Sequence, residues 1–292
     1  MRVKWLMCVL FSLLLLQADA QSHMIDSLKT SLENHPAKDS IRAHILFRLG
    51  EELNFIDSAQ ALYYAHEGMA IAYGIKNPAS ISNGGFILGK IFNDSEYQDS
   101  AHYYYRMAAD TAHKYHLINW ELKAKIEEAS MVFMNGYYTE SLELFQDIIP
   151  LAEQSTSKKP LVGIYSNIAG IFFQQEEYQK ALDYELKGYA LFKLKPDQRI
   201  VSVMNNLGQE YGALGNNDSS MYYLHLAIAT AYDYEDSVQV AYSLGSMGDQ
   251  FYEMKNQDSA LYYLQRSIAM YNELGYEDPQ AGSTYGSLGN VM

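Results

Sequence analysis

A small residue, Ala61, Ala101, Ser141, Ala181, Ser220 or Ala260, returns every 39 or 40 positions along this chain. In nearly every copy it stands twelve places after a Gly or Ala that ends an apolar pair, as in Leu88-Gly89, Glu128-Ala129, Ile168-Ala169, Leu207-Gly208 and Met247-Gly248. Leu49-Gly50 reaches Ala61 one residue early. A fixed period of this length excludes most folds. Each copy is one supersecondary unit too small to bury its own apolar face, and stacked neighbours supply the core.

The phrase is fullest in two copies, where Leu207-Gly208, Tyr211, Gly215, Ser220, Leu224 and Ala227 match Met247-Gly248, Phe251, Lys255, Ala260, Leu264 and Ser267. Apolar and small residues fall three, four and seven apart, the spacing of one buried helical stripe, and a Gly, Asn or Asp interrupts them midway. Each copy is therefore expected to be a helix, a tight turn and a second helix. Asp57-Ser58, Asp99-Ser100, Asp218-Ser219 and Asp258-Ser259 stand where a short oxygen side chain would accept from the free N–H groups of the second helix. The small residues imply close approach of two helix backbones, so leucine at Ala101 or Ala260 should cost about 1–3 kcal/mol by overpacking.

Leu-Gly, an aromatic three places on, a turn, then Ala followed by a large residue resembles the tetratricopeptide repeat, over residues 38–292. The usual period of that family is about 34, so longer helices or loops are expected here. The fold class implied is all-α, a right-handed superhelical solenoid of about six helix-turn-helix repeats in one array. The signal-like opening before Asp26-Ser27-Leu28, together with Asp57-Ser58-Ala59-Gln60-Ala61 and Asn205-Asn206-Leu207-Gly208, also resembles the extracytoplasmic half of tetratricopeptide signalling proteins of the Bacteroidetes type. In those, repeats lead to a membrane helix and then to a histidine kinase or helix-turn-helix output domain.

Residues 1–20 read as a secretory signal peptide: Arg2 and Lys4, an apolar run from Trp5 to Leu16, and Ala18-Asp19-Ala20 as the cleavage site. The mature chain would begin at Gln21 in the periplasm or cell envelope. Cys8 is the only cysteine and leaves with the leader, so the mature chain has neither disulfide nor thiolate chemistry. Residues 21–37 form a leading helix and linker, with Ile25, Leu28 and Leu32 on one face and His35-Pro36 at the end. Six repeats occupy 38–276. Residues 277–292 repeat the opening of a first helix, so either a longer protein continues past Met292 or this helix is a cap. Gly282, Gly286 and Gly289, where a cap should show a polar face, favour continuation.

The net charge is −14 with no basic stripe, which argues against nucleic acid and anionic membrane as partners. Any membrane attachment is expected only through a C-terminal segment beyond Met292. No phosphate loop, nucleophile elbow or zinc-protease motif occurs, so no catalytic residue, cofactor or metal is assigned and the chain reads as a non-catalytic binding protein. His113 and His116 share a helical spacing but lack a third ligand. The tyrosine runs, Tyr63-Tyr64, Tyr103-Tyr104-Tyr105, Tyr222-Tyr223 and Tyr262-Tyr263, could line an aromatic cage, but they fall where repeats of this type pack against each other, which is the expected role.

First helices line the concave face of such arrays. Counting from the Leu-Gly pairs places Asn83, Phe86, Lys90, Ser166, Phe173, Gln174, Asn205, Gln209, Asp249 and Tyr252 inward, with Asn93, Ile126, Ser130, Phe133 and Glu253 beside them. That groove would be neutral to acidic. Its amides suit the N–H and C=O groups of a protein or peptide ligand, and each amide could equally serve a hydrogen bond within the repeats. Two functions follow: the sensing part of a signal-transduction protein, or a free-standing periplasmic scaffold for an envelope assembly.

Overall fold

The structure, a computed structural model, describes residues 22–194, 197–275 and 279–291. The leader, its cleavage site, Cys8 and the start at Gln21 lie outside the described residues. In chain order the helices are α1 (22–34), α2 (Ser40–Leu53), α3 (Ser58–Gly74), α4 (Pro78–Asp94), α5 (Gln98–Lys114), α6 (Ile118–Met134) and α7 (Tyr138–Gln154). They continue as α8 (Lys159–Gln174), α9 (Tyr178–Leu194), α10 (Ile200–Ala213), α11 (Asn217–Asp233), α12 (Ser237–Glu253), α13 (Gln257–Leu274) and α14 (Pro279–Val291). Among the described residues there is no strand, and the architecture is that of an all-α helical repeat. The chain forms two compact units that divide between Ile164 and Tyr165.

The long period resides in the helices. Helices α3 to α7 each run 17 residues, as do α9, α11 and α12, and most connections hold only three residues. Each three-residue connection has one left-handed residue at its centre: Lys76, Glu96, His116, Gly136, Glu176, Gly215, Glu235 and Lys255, with φ between 51° and 82°. The N–H after it turns back to a carbonyl five residues earlier, as from Tyr97 to Phe92 and from Asn256 to Phe251, each at 2.9 Å. This closes the ends of the helices before these connections in the same way. The sequence suggested Gly, Asn or Asp at the break, yet Lys, Glu and His occupy most of these positions.

The caps differ from expectation by position. Asp57 does accept from the Gln60 N–H at 3.0 Å. In the later copies the cap is the asparagine before the aspartate: Asn216 accepts from Ser219 and Asn256 from Ser259, both at 3.2 Å. Asp99, Asp218 and Asp258 lie inside the first turn, where their charge favours the positive end of the helix dipole instead of satisfying a named donor.

Each helix pair closes on its small residues. Ala61, Ala101, Ser141, Ala181, Ser220 and Ala260 are all fully buried. A Cβ on Gly208 would stand 2.6 Å from Leu224 Cγ, and one on Gly248 2.6 Å from Leu264 Cγ. Ser141 adds a hydrogen bond at this position, its Oγ donating to the Ala129 carbonyl at 2.8 Å. In the first unit α1 covers the first pair through Ile25, Leu28 and Leu32, and Arg42 Nη1 holds its end by donating to the carbonyls of Leu32 and His35 at 2.7 Å.

The tyrosine doublets divide their labour. The second tyrosine packs within the pair: Tyr104 stacks on Phe92 with centroids 5.4 Å apart, Tyr223 on Tyr211 at 5.5 Å and Tyr263 on Phe251 at 5.3 Å. Tyr63, Tyr103, Tyr222 and Tyr262 are exposed, so packing explains only half of each doublet.

Candidate functional site

The second unit encloses a cavity of about 590 Å³ walled mainly by first helices of the repeats. Phe173 at the end of α8 meets Tyr178 edge to face, with centroids 5.1 Å apart. From α10 come Gln209, Gly212 and Ala213; from α12 come Tyr242, Gly245, Ser246, Asp249, Gln250 and Glu253; Leu224 of α11 and Ser283 and Thr284 of α14 complete the lining.

Two glycines allow this wall to form. A Cβ on Gly212 would fall 2.0 Å from Gln250 Oε1, and one on Gly245 2.9 Å from Thr284 Oγ1. Gln250 is thereby free to donate from Nε2 to Asn217 Oδ1 at 2.9 Å, and α14 to approach α12. Gln209 Nε2 donates to both Tyr242 Oη and Ser246 Oγ at 3.2 Å, fixing its amide across the gap between α10 and α12. Asp249 accepts from Ser287, and burial, opposed by that bond, holds its carboxyl above the usual aspartate range. Among the described residues no lysine or arginine lines the cavity.

Of the residues expected to face a ligand, the cavity brings together Phe173, Gln209, Asp249 and Glu253. Gln174 and Tyr252 stand outside its lining, Gln174 exposed and Tyr252 beneath Lys255, whose Nζ is 5.6 Å from its ring centroid. Asn205 is a correction: it is fully buried and donates from Nδ2 to Ser243 Oγ at 2.8 Å, joining α10 to α12. Ser166 also turns into the protein, where its hydroxyl donates to Glu185 Oε1 at 2.9 Å.

In the first unit Phe86 is likewise corrected to a core residue, 2% exposed and tilted against Tyr105 and Trp120 with centroids at 6.1 and 6.4 Å. Lys90 gives its charge to Glu51 at 3.0 Å. Asn83 is half-buried. Tyr178, Gly212, Tyr242, Ser246 and Gln250 were missed. Four of these have a plain reason, because Tyr242, Ser246, Asp249, Gln250 and Glu253 form one stripe on α12, and Gly212 is the small residue that Gln250 requires.

Two buried carboxylates lie near this wall in sequence and apart from it in role. Glu185 on α9 is fully buried and accepts at Oε1 from Ser166 and, at 3.2 Å, from Asn206 Nδ2. Burial pushes its pKa up to about 7 despite those bonds. Glu210 on α10 is 2% exposed, and burial together with the charge of Glu185 pushes it up to about 9. In the first unit His113 pairs with buried Glu121 at 3.1 Å, and Lys125 joins the same carboxylate at 2.7 Å. Among the described residues no three His, Cys, Asp or Glu side chains form a group able to hold a metal ion, and no helix is long and apolar enough to cross a membrane.

No protein-family model matches the chain, and no curated protein matches it in sequence. Solved structures do. The apo form of RapI is similar at 12% identity over 85% of this chain and 97% of that one, with a TM-score of 0.64. A Rap protein complexed with competence and sporulation factor is similar at 14% identity over 93% and 85%, with a TM-score of 0.60. A signal transduction ATPase with numerous domains from Pyrococcus horikoshii, which carries a tetratricopeptide repeat sensor, is similar at 13% identity over 85% of this chain and 40% of that one, with a TM-score of 0.66. Identities this low speak to fold alone. With its paired 17-residue helices, their small-residue contacts and this likeness, the chain has the all-α helical-repeat fold of tetratricopeptide-repeat structures.

Proposed function

We propose that this chain is a non-catalytic binding protein that holds a protein or peptide segment, and that it is the exported sensing part of a signal-transduction protein. The observation that carries the binding reading is the cavity of about 590 Å³ between α8, α10, α12 and α14, with aromatic rings, amides and hydroxyls on one wall. A volume of this order accepts a few residues of a ligand. Extended peptides bring N–H and C=O groups that Gln209, Ser246 and Ser283 can meet. Among similar structures, one is a Rap protein complexed with competence and sporulation factor and another contains a repeat sensor, which supports binding of this kind by analogy of fold.

The experiment for binding is selection of linear peptides from a random displayed library on the immobilised chain, followed by calorimetry with the selected peptides. Gln209→Ala and Tyr242→Ala should each weaken them by about tenfold, the loss of one or two well-placed contacts; unchanged affinity in both variants removes the cavity from the binding site. Export and signalling are tested separately. The coding sequence downstream of Met292 should encode an apolar span of about 20 residues followed by an output domain. A stop there would make the chain a free-standing periplasmic scaffold instead.

A further inference from the structure

We propose that the cavity in the second unit selects a cationic side chain, a lysine or arginine of the bound segment, seated between the carboxylates of Asp249 and Glu253 and the ring of Tyr242. The proposal rests on the peptide-binding reading above and narrows it to one ligand chemistry.

Asp249 and Glu253 stand one helical turn apart on α12 and both line the cavity. Like charges at that spacing repel each other. Burial and, as the smallest contribution, the charge of Glu253 hold the Asp249 carboxyl above the ordinary range against the Ser287 hydrogen bond. A chain could relieve this with its own lysine or arginine, but here the nearby cations are turned elsewhere. Among the described residues none lines the cavity, and Lys255, two residues past Glu253, lies over the Tyr252 ring. A cation supplied by a ligand would thus gain two carboxylates at once, exposed Glu253 at the rim and Asp249 one turn before it, where desolvation makes the attraction exceed its value in water.

The remaining walls fit the same ligand. Tyr242 lines the cavity two turns before Asp249 on α12, where the stem of a long side chain would pass, and Phe173 with Tyr178 forms an apolar corner. Aromatic faces attract ammonium and guanidinium groups, and their apolar surface accommodates the methylene stem that carries the charge. A C-terminal carboxylate or a phosphorylated residue is disfavoured by the same charges, because the lining offers no cation to meet it. Among the described residues a metal ion finds no third acidic or imidazole ligand there.

The test uses the mature chain and the peptides selected from the random displayed library. Lysine and arginine should be enriched among them. Replacing the enriched cation by citrulline or acetyl-lysine should weaken binding by at least about tenfold, as should Asp249→Asn with Glu253→Gln in one protein, and rising salt should lower the affinity of the parent pair. Circular dichroism and the thermal midpoint establish that the double variant remains folded. Peptides that lose affinity in Tyr242→Ala yet carry no cation and ignore the double variant would overturn the charge assignment and leave the peptide site standing. Peptides indifferent to every cavity variant, or no enrichment at all, would overturn both.

Discussion

Glu185 and Glu210 set the most specific expectation at the scale of single residues. Both carboxyls are held above the ordinary glutamate value of 4.5 in the folded chain, to about 7 and about 9. The unfolded chain therefore gives up these protons first as pH rises, and unfolding is drawn forward. Their contribution to stability is fully present below about pH 4.5 and declines as pH climbs through about 7 and then about 9. The thermal midpoint should fall across that range, and Glu210→Gln, which removes the charge while keeping the shape, should flatten the fall and raise the midpoint at the alkaline end by a few degrees. An unchanged profile would mean that other groups govern the alkaline limit. Packing gives a second expectation at this scale. Gly208→Ala puts a methyl 2.6 Å from Leu224 Cγ and should cost about 1–3 kcal/mol in urea unfolding. The small residue itself was legible in the sequence because its spacing repeats. The buried carboxylates were not, since a glutamate on a repeat helix looks like any solvated glutamate until a neighbouring helix covers it.

At the scale of the helix and its connection, one geometry recurs. A left-handed residue sits at the centre of every three-residue connection, and Lys255 and Glu235 fill that position with φ of 61° and 56°. A side chain in this region costs about 1–2 kcal/mol, partly offset by the greater freedom glycine has when unfolded. Lys255→Gly should therefore stabilise by about 0.5 kcal/mol, and Gly215→Ala, at φ 75°, should destabilise by about 1 kcal/mol; denaturant midpoints of the two variants should move in opposite directions. Asn256→Ala removes the bond from the Ser259 N–H and should cost about 1 kcal/mol. The same loss at Asp258 should be smaller, since that carboxylate acts on the helix dipole alone. The sequence placed the breaks between helices correctly but moved the cap by two residues in the later copies. An Asn-Asp-Ser or Asn-Gln-Asp-Ser run offers several oxygens, and only the backbone path decides which one faces the free N–H groups.

On the scale of the whole molecule, a repeat protein is stabilised by contacts between near neighbours in sequence, so damage should stay local. Gly248→Leu should reduce amide protection in α12 and α13, where the new side chain meets Leu264, while amides of α2 to α5 in the other unit keep theirs. Hydrogen exchange with mass readout would show this, and uniform loss of protection would mean that the chain unfolds as one block. The sequence alone determined the period, the helix pairs, the small contacts inside them and the acidic balance, because each depends on local spacing or on a sum over residues. The tertiary structure alone decided which members of the expected ligand-facing set are open to a ligand. Asn205, Phe86 and Lys90 occupy the inward stripe as Gln209 and Asp249 do, yet Ser243, Trp120 and Glu51 from neighbouring repeats cover or neutralise them. Helical periodicity fixes the direction of a side chain. Its exposure depends on what an adjacent helix, 34 to 39 residues away in these three cases, places in front of it.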